Sequence, residues 1–388
     1  MKLAEGMSKS LSGMALRRFL RNITGMISAV FILLVAFSAI FAYHIAPDPT
    51  PGANRQMLEL GSLPPASQVE VLRVYREEKP EANIFRRFAG GTKDHFESIP
   101  LQSWHFEGEM FCYKVFDNAR DANLEEECLP LGRIVYGPDA DKMAGVFSIS
   151  KLQQSVIEHH IIRTTFWLGS DQFGRDMLSR LLLGSRISLS VGFIAVFISL
   201  VIGLIVGSIG GYFGGRTDDL VMWLINVVWS LPTLLLVIAI TFALGKGFWQ
   251  VFVAVGLTMW VEVARVVRGQ IISLREKEFI EAAKALGFSN LRIVFRHLLP
   301  NVVSPLIVIS AANFASAILI EAGLSFLGLG VQPPMPSWGS MLRENYAFIL
   351  LDSPHLALFP GMAIMLLTLA FMLVGNALRD ALDVKLVQ

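Results

Sequence analysis

Charge is what this chain has least of. Only 17% of its 388 residues are charged and 53% are hydrophobic, whereas charged residues approach a quarter of a soluble domain. That excludes an ordinary water-soluble globule and assigns much of the chain to lipid. A net charge of +1 supplies no field to gather nucleic acid, and no basic tract with interleaved aromatics is present. A phosphate-binding loop is missing too: Gly245-Lys246-Gly247, the nearest look-alike, lacks both the Ser or Thr after Lys and the earlier glycine. Ser148-Ile149-Ser150-Lys151 has the Ser-x-x-Lys pattern without the companion motifs a nucleophile needs. His159 and His160 are adjacent, so they point apart on a helix or a strand, and no metal-ligand spacing accompanies them. No catalytic residue, metal or cofactor is expected. Cysteine is nearly absent: Cys112 and Cys128 fall in the one long polar segment, where a disulfide and two buried thiols both fit.

What is present is a series of apolar runs. Lys9, Arg17, Arg18 and Arg21 precede the run Ile23 to Ala46, which exceeds a signal-peptide core and approaches the roughly 20 residues that span a bilayer. It reads as an uncleaved first helix (23–46) behind a cytoplasmic terminus (1–22). Pro47, Pro49 and Pro51 end it. The polar segment that follows, 47–164, is long enough to be a small α+β domain outside the cytoplasm. Ala66 to Glu78 looks helical, while Trp104 to Phe116 and Arg133 to Val135 look strand-like. From 165 onward, Ser170 and Asp171 can cap an interfacial helix whose Phe173, Met177, Leu178, Leu181 and Leu182 oppose Arg175, Asp176 and Arg180.

Five further spans follow: Ile187 to Gly211, with Gly203, Gly207, Gly210 and Gly211 for close packing; Leu220 to Leu244, interrupted by Pro232; Gln250 to Val267; Val302 to Phe326; and Leu356 to Leu378. The expected fold is an all-α polytopic membrane protein of six transmembrane helices with both termini inside. Arg216, Arg268, Arg275, Lys277, Lys284, Arg292, Arg296 and Arg379 then share the cytoplasmic side, as the positive-inside rule requires.

Between the fourth and fifth runs lies a charged, amphipathic island, 272–301. Glu278 to Leu286 consists of good helix formers, and Gly287 stands where a left-handed residue ends a helix. Ser289 can cap a second helix that Pro300 closes. Phe279, Ile280, Ala283 and Leu286 share a face. So short a helix is marginal alone and needs something to dock against. Glu281, Ala282, Ala283, Gly287, then Leu299 and Pro300, resemble the EAA loop of permease subunits of bacterial ATP-binding-cassette importers. His297, followed by Leu-Leu-Pro-Asn, resembles the dipeptide, oligopeptide and nickel branch, as does the run from Glu321 through Gln332-Pro333-Pro334 and Ser337-Trp338-Gly339.

The resemblance implies a path for short peptides, or for nickel or another small solute, across the bacterial inner membrane, with the polar segment in the periplasm. It also implies a second, homologous permease, two ATPase subunits beneath the Glu281 loop and a solute-binding protein outside. Nucleotide hydrolysis would belong to those partners. Asn226, Asn313 and Glu321 are polar within spans, so each is a candidate for the path or for an interhelical hydrogen bond. Glu262 and Arg265, three apart on one face, most simply pair with each other. A secondary transporter is the alternative, but it calls for inverted repeats and buried ion sites, neither of which is clear here.

Overall fold

The computed structural model describes residues 11–76, 88, 90–117, 125–137, 140, 148–245, 247–350 and 353–382. Lys9, Glu78 and Lys246, used in the sequence reading, lie outside them. The described residues open with helix α1 (Leu11–Arg21) and, after Asn22, α2 (Ile23–Ile40). Asn22 Oδ1 accepts the Gly25 N–H at 2.9 Å, so the basic helix and the apolar one are separated by a side-chain cap.

The polar segment forms a five-stranded antiparallel sheet in the order β4-β3-β2-β1-β5. The strands are β1 (Ser67–Tyr75), β2 (Phe96–Glu107), β3 (Met110–Val115), β4 (Glu127–Pro130) and β5 (Ile161–Phe166). β1 is an interior strand, with Val71 opposite Pro100 on one side and Ile162 on the other. The helical reading of Ala66 to Glu78 is therefore wrong. Val69, Val71 and Val74 are β-branched and buried at near-alternate positions, and that outweighs the helix-forming charges between them. Arg133 to Val135 also departs from expectation, lying in α3 (Leu131–Tyr136), which buries Leu131 and Ile134. Those two join Leu72, Phe111 and Tyr113 in one core. Cys112 and Cys128 face each other across β3 and β4 and are bonded. β5 runs across residue 164, where the domain boundary was expected.

The interfacial helix anticipated after Asp171 does not form. Residues 170–176 make a turn, and α4 (Met177–Phe213) runs unbroken through the next span. Then come α5 (Gly215–Trp229), α6 (Thr233–Leu244), α7 (Phe248–Arg275), α8 (Glu278–Ala285), α9 (Leu299–Phe326), α10 (Trp338–Asn345) and α11 (His355–Leu382). Five helical stretches are long and apolar enough to cross a membrane: Ile23–Ile40, Met177–Phe213, Trp249–Arg275, Asn290–Phe326 and His355–Leu382. α5 and α6 make a sixth if counted together, but they meet at 91°. Pro232 causes the break, since it has no N–H for the ladder and its ring excludes the preceding carbonyl.

The chain divides into two compact units. One contains Met1–Phe37, Ile187–Gln332 and Met362–Gln388; the other contains Ser38–Arg186 and Pro333–Gly361. In the first, α4 lies against α7 along its glycines. A Cβ at Gly203 would stand 2.5 Å from Val263 Cβ, and one at Gly207 would stand 2.5 Å from the Ala264 carbonyl oxygen. Only hydrogen fits there, which lets the two backbones approach as small-residue stripes do in lipid.

Candidate functional site

The island at 272–301 is built outward from a buried anchor. Ile280 and Ala283 of α8 are buried with Tyr212, Val263, Val267, Ile271, Ile293, Leu298 and Val302, so one face of the short helix is fixed to α4, α7 and the start of α9. The end of α8 is set by backbone geometry. Gly287 takes φ +74°, its N–H donates to the Lys284 carbonyl, and that of Phe288 donates to the Ala283 carbonyl. This bond pair is a Schellman motif, which a residue with a Cβ enters only under strain. Ser289 Oγ then accepts the Arg292 N–H at 3.4 Å as the next cap. Tyr212 donates its O–H to Asn290 Oδ1 at 2.8 Å, and Arg275 donates to the Tyr212 carbonyl at 3.1 Å. The segment is thus tied to the end of α4.

Pro300 does not close the second helix. Asn290–Ile293 leads through a π turn, Val294–Leu298, straight into α9, with Pro300 in its first turn. The wide turn accommodates a residue without an N–H, and Asn301 Nδ2 donates to the His297 carbonyl at 2.6 Å. The His297 ring stacks on Phe288 at 5.9 Å, and the Arg292 guanidinium lies over that same ring at 4.1 Å.

The predicted apolar face of α8 is split. Ile280 and Ala283 point inward, whereas Phe279 is 45% exposed and Leu286 73%. Leu291 and Phe295 on the following turns are 72% and 67% exposed. Glu281, Ala282, Gly287 and Pro300 are exposed, Leu299 and His297 half-buried. Large apolar side chains around a structured helix, rimmed by Glu278, Glu281 and Lys284, mark a surface made to be covered.

The polar candidates within the spans do not converge. Asn226 is exposed on α5, while Asn313 and Glu321 are buried in α9. Glu321 Oε1 accepts the Ser325 hydroxyl at 2.7 Å. The Asn313 amide has no hydrogen-bond partner among the described residues, so the interhelical bond suggested for it is not made among them. Nor do Glu262 and Arg265 pair. The Arg265 guanidinium lies 3.4 Å from the centre of the Trp229 ring, a contact that sequence spacing within one helix cannot disclose.

Residues 199–388 match the family described as binding-protein-dependent transport system inner membrane component, and 10–65 match the N-terminal TM domain of oligopeptide transport permease C. The dipeptide transport system permease protein DppC of Alkalihalophilus pseudofirmus is 44% identical over 237 residues, which is 61% of this chain and 75% of that protein. The glutathione transport system permease proteins GsiD of Shigella flexneri and Pectobacterium atrosepticum are 47% and 44% identical over 220 residues. Those alignments cover 57% of this chain and 72% and 73% of the relatives. The chain belongs to the permease subunits of ATP-binding-cassette importers, in the dipeptide and oligopeptide branch. It is a multi-pass protein of the bacterial inner membrane, of a family that works with ATPase and substrate-binding partners. The secondary-transporter alternative falls away.

Residues 66–198, the sheet included, lie in neither matched range. Around Asp171, Arg175 and Arg180 of this stretch the permease holds a buried ionic cluster, where the sequence predicts the polar side of an interfacial helix. Asp171 Oδ1 accepts the N–H groups of Phe173 and Arg175 at 2.9 and 3.0 Å, and its Oδ2 accepts Arg175 Nε at 2.6 Å. Arg175 and Arg180 both donate to Glu344 Oε2, at 2.6 and 3.1 Å. Ser179 donates its N–H and hydroxyl to Asp176 Oδ2. Burial pushes the Asp176 carboxyl above the usual range, and Asp48 and Asp171 add to the push against the Ser179 bonds. A period-3.6 stripe looks the same whether its charges meet water or one another.

Proposed function

We propose that this chain is the path-forming subunit of a short-peptide importer and transmits the ATPase stroke through α8. The observation that carries the proposal is the division of labour on that helix. Its inner face, Ile280 and Ala283, is built into the permease core, while Phe279 and Leu286, with Leu291 and Phe295 beyond, are left for a partner. Two ATPase subunits dock there, one under this chain and one under a second, related permease. Because Asn290–Phe326 is one helical stretch, displacement of the docked surface is passed directly into a span. The basic residues from Arg216 to Arg379 favour both termini inside, which puts the sheet unit in the periplasm, facing the solute-binding protein. Catalysis of nucleotide hydrolysis resides in the partners. Short peptides are the favoured cargo because the relatives are named for a dipeptide and for glutathione.

The test is affinity purification of the chain in mild detergent with identification of what accompanies it. Two P-loop ATPases and a second permease are expected. Recovery of the same ATPases by a variant lacking 281–287 would refute docking at α8.

A further inference from the structure

The bend at Pro232 borders a cavity of about 330 Å³, inside the ~300–1,000 Å³ range of small-molecule sites. Trp229 and Leu231 come from the bend, Thr258 and Glu262 from α7, and Ser316 and Leu319 from α9. With Thr233 at the start of α6, the lining is largely apolar with three hydroxyls and one carboxylate. None of the residues singled out for the path from sequence takes part in it.

Glu262 is the informative member. Fourteen residues of α7 precede it, about 21 Å of helix, so it lies within the span, nearer the Arg268 end, and its side chain is exposed. A carboxylate at that depth is costly against lipid and is kept where it meets a cavity, an ion or a partner charge. Arg265, the nearest cation on its own helix, is engaged with the Trp229 ring. Among the described residues of this unit the ion pair joins Arg268 to Asp218 and leaves Glu262 out. The site therefore presents an anionic group, hydroxyls that can accept hydrogen bonds and an apolar wall. Thr258 donates its hydroxyl proton to the Val255 carbonyl at 2.8 Å, which turns its oxygen lone pairs outward as acceptors. The Glu262 carboxylate and the Thr258 oxygen therefore favour a donor, and the carboxylate a charged one.

We propose that this cavity is a cargo subsite of the translocation path, in which Glu262 receives the free α-ammonium of a short peptide while the first side chain rests against Trp229, Leu231 and Leu319. The proposal rests on the reading of the chain as a peptide permease. A charged hydrogen bond of this kind discriminates against a ligand lacking the ammonium by about tenfold or more.

The experiment uses the purified permease–ATPase assembly in nanodiscs without the binding protein, so that recognition upstream does not enter. Binding of trialanine and of N-acetyl-trialanine is measured by calorimetry. The wild type is expected to bind trialanine at least about tenfold more tightly. Glu262→Gln abolishes that preference and Glu262→Asp restores most of it, with recovery of the ATPases reporting that each variant is assembled. Equal binding of the two peptides by the wild type overturns the proposal, as does a preference that survives Glu262→Gln. Failure of either peptide to bind an assembly that retains its ATPases also overturns it and leaves the permease reading intact. Loss of the ATPases from the wild type would instead strike the proposed function.

Discussion

Truncating Leu286 to alanine separates the two duties of α8. Leu286 is 73% exposed, and a fully buried leucine is stabilised by ~1.5–3 kcal/mol. If a partner covers it, Leu286→Ala weakens the complex by about 1–2 kcal/mol, roughly five- to thirtyfold in affinity. The permease itself hardly changes, since exposed substitutions away from special features shift stability by about 0.5 kcal/mol or less. Ile280, six residues earlier and fully buried, gives the opposite result: Ile280→Ala costs ~2–5 kcal/mol of fold stability through transfer and cavity terms. The assay is titration of the ATPase onto nanodisc-held permease, read beside the thermal melt of the permease alone. Leu286→Ala lowers affinity with an unchanged melt, and Ile280→Ala lowers the melt. If Leu286→Ala binds the ATPase as the wild type does while Phe279→Ala does likewise, the surface is not the docking face.

Three other outcomes are expected. Gly207→Val forces a Cβ against the Ala264 carbonyl and lowers the detergent melt by overpacking, ~1–3 kcal/mol; Gly323→Ala, where nothing lies within 4 Å, leaves it unchanged or slightly raised. Arg175→Met leaves buried Asp171 and half-buried Glu344 sharing Arg180 alone and costs ~1.5–3 kcal/mol, part of which Arg175→Met/Glu344→Met recovers in a double-mutant cycle on proteolytic stability. His160 is buried and donates Nδ1–H to the Arg73 carbonyl at 2.7 Å, and burial holds its pKa below the ordinary value. Its contribution to the sheet unit is complete above about pH 6.5 and is lost as pH falls toward the depressed folded value, because the unfolded chain takes the proton first. Limited proteolysis between pH 7.5 and 5 reads this slope, and His160→Gln flattens it.

The spans, the Gly287 stop and the Ser289 cap were legible because each depends on a local rule: run length, a positive φ, a hydroxyl before a helix. Where local rules compete, the sequence misled. Ser67 to Tyr75 holds helix-forming charges among valines, and the neighbours β2 and β5 decide for a strand. Pro300 signals a stop that a π turn absorbs. Arg175, Asp176 and Arg180 occupy a polar stripe whose partners, Glu344 and Asp48, are remote in sequence. Glu262 and Arg265 were close enough to pair by spacing, yet a tryptophan three dozen residues away in the chain claims the arginine.

The arrangement of α8 bears on how such importers diversify. The residues that hold the helix in place, Ile280, Ala283 and Gly287, are different from those left exposed, Phe279, Leu286, Leu291 and Phe295. Mutations in the second set are nearly free of folding consequence. A duplicated permease can therefore drift toward a new ATPase, or a pair of permeases can share one, by changes confined to four side chains on an already closed helix and its following turns.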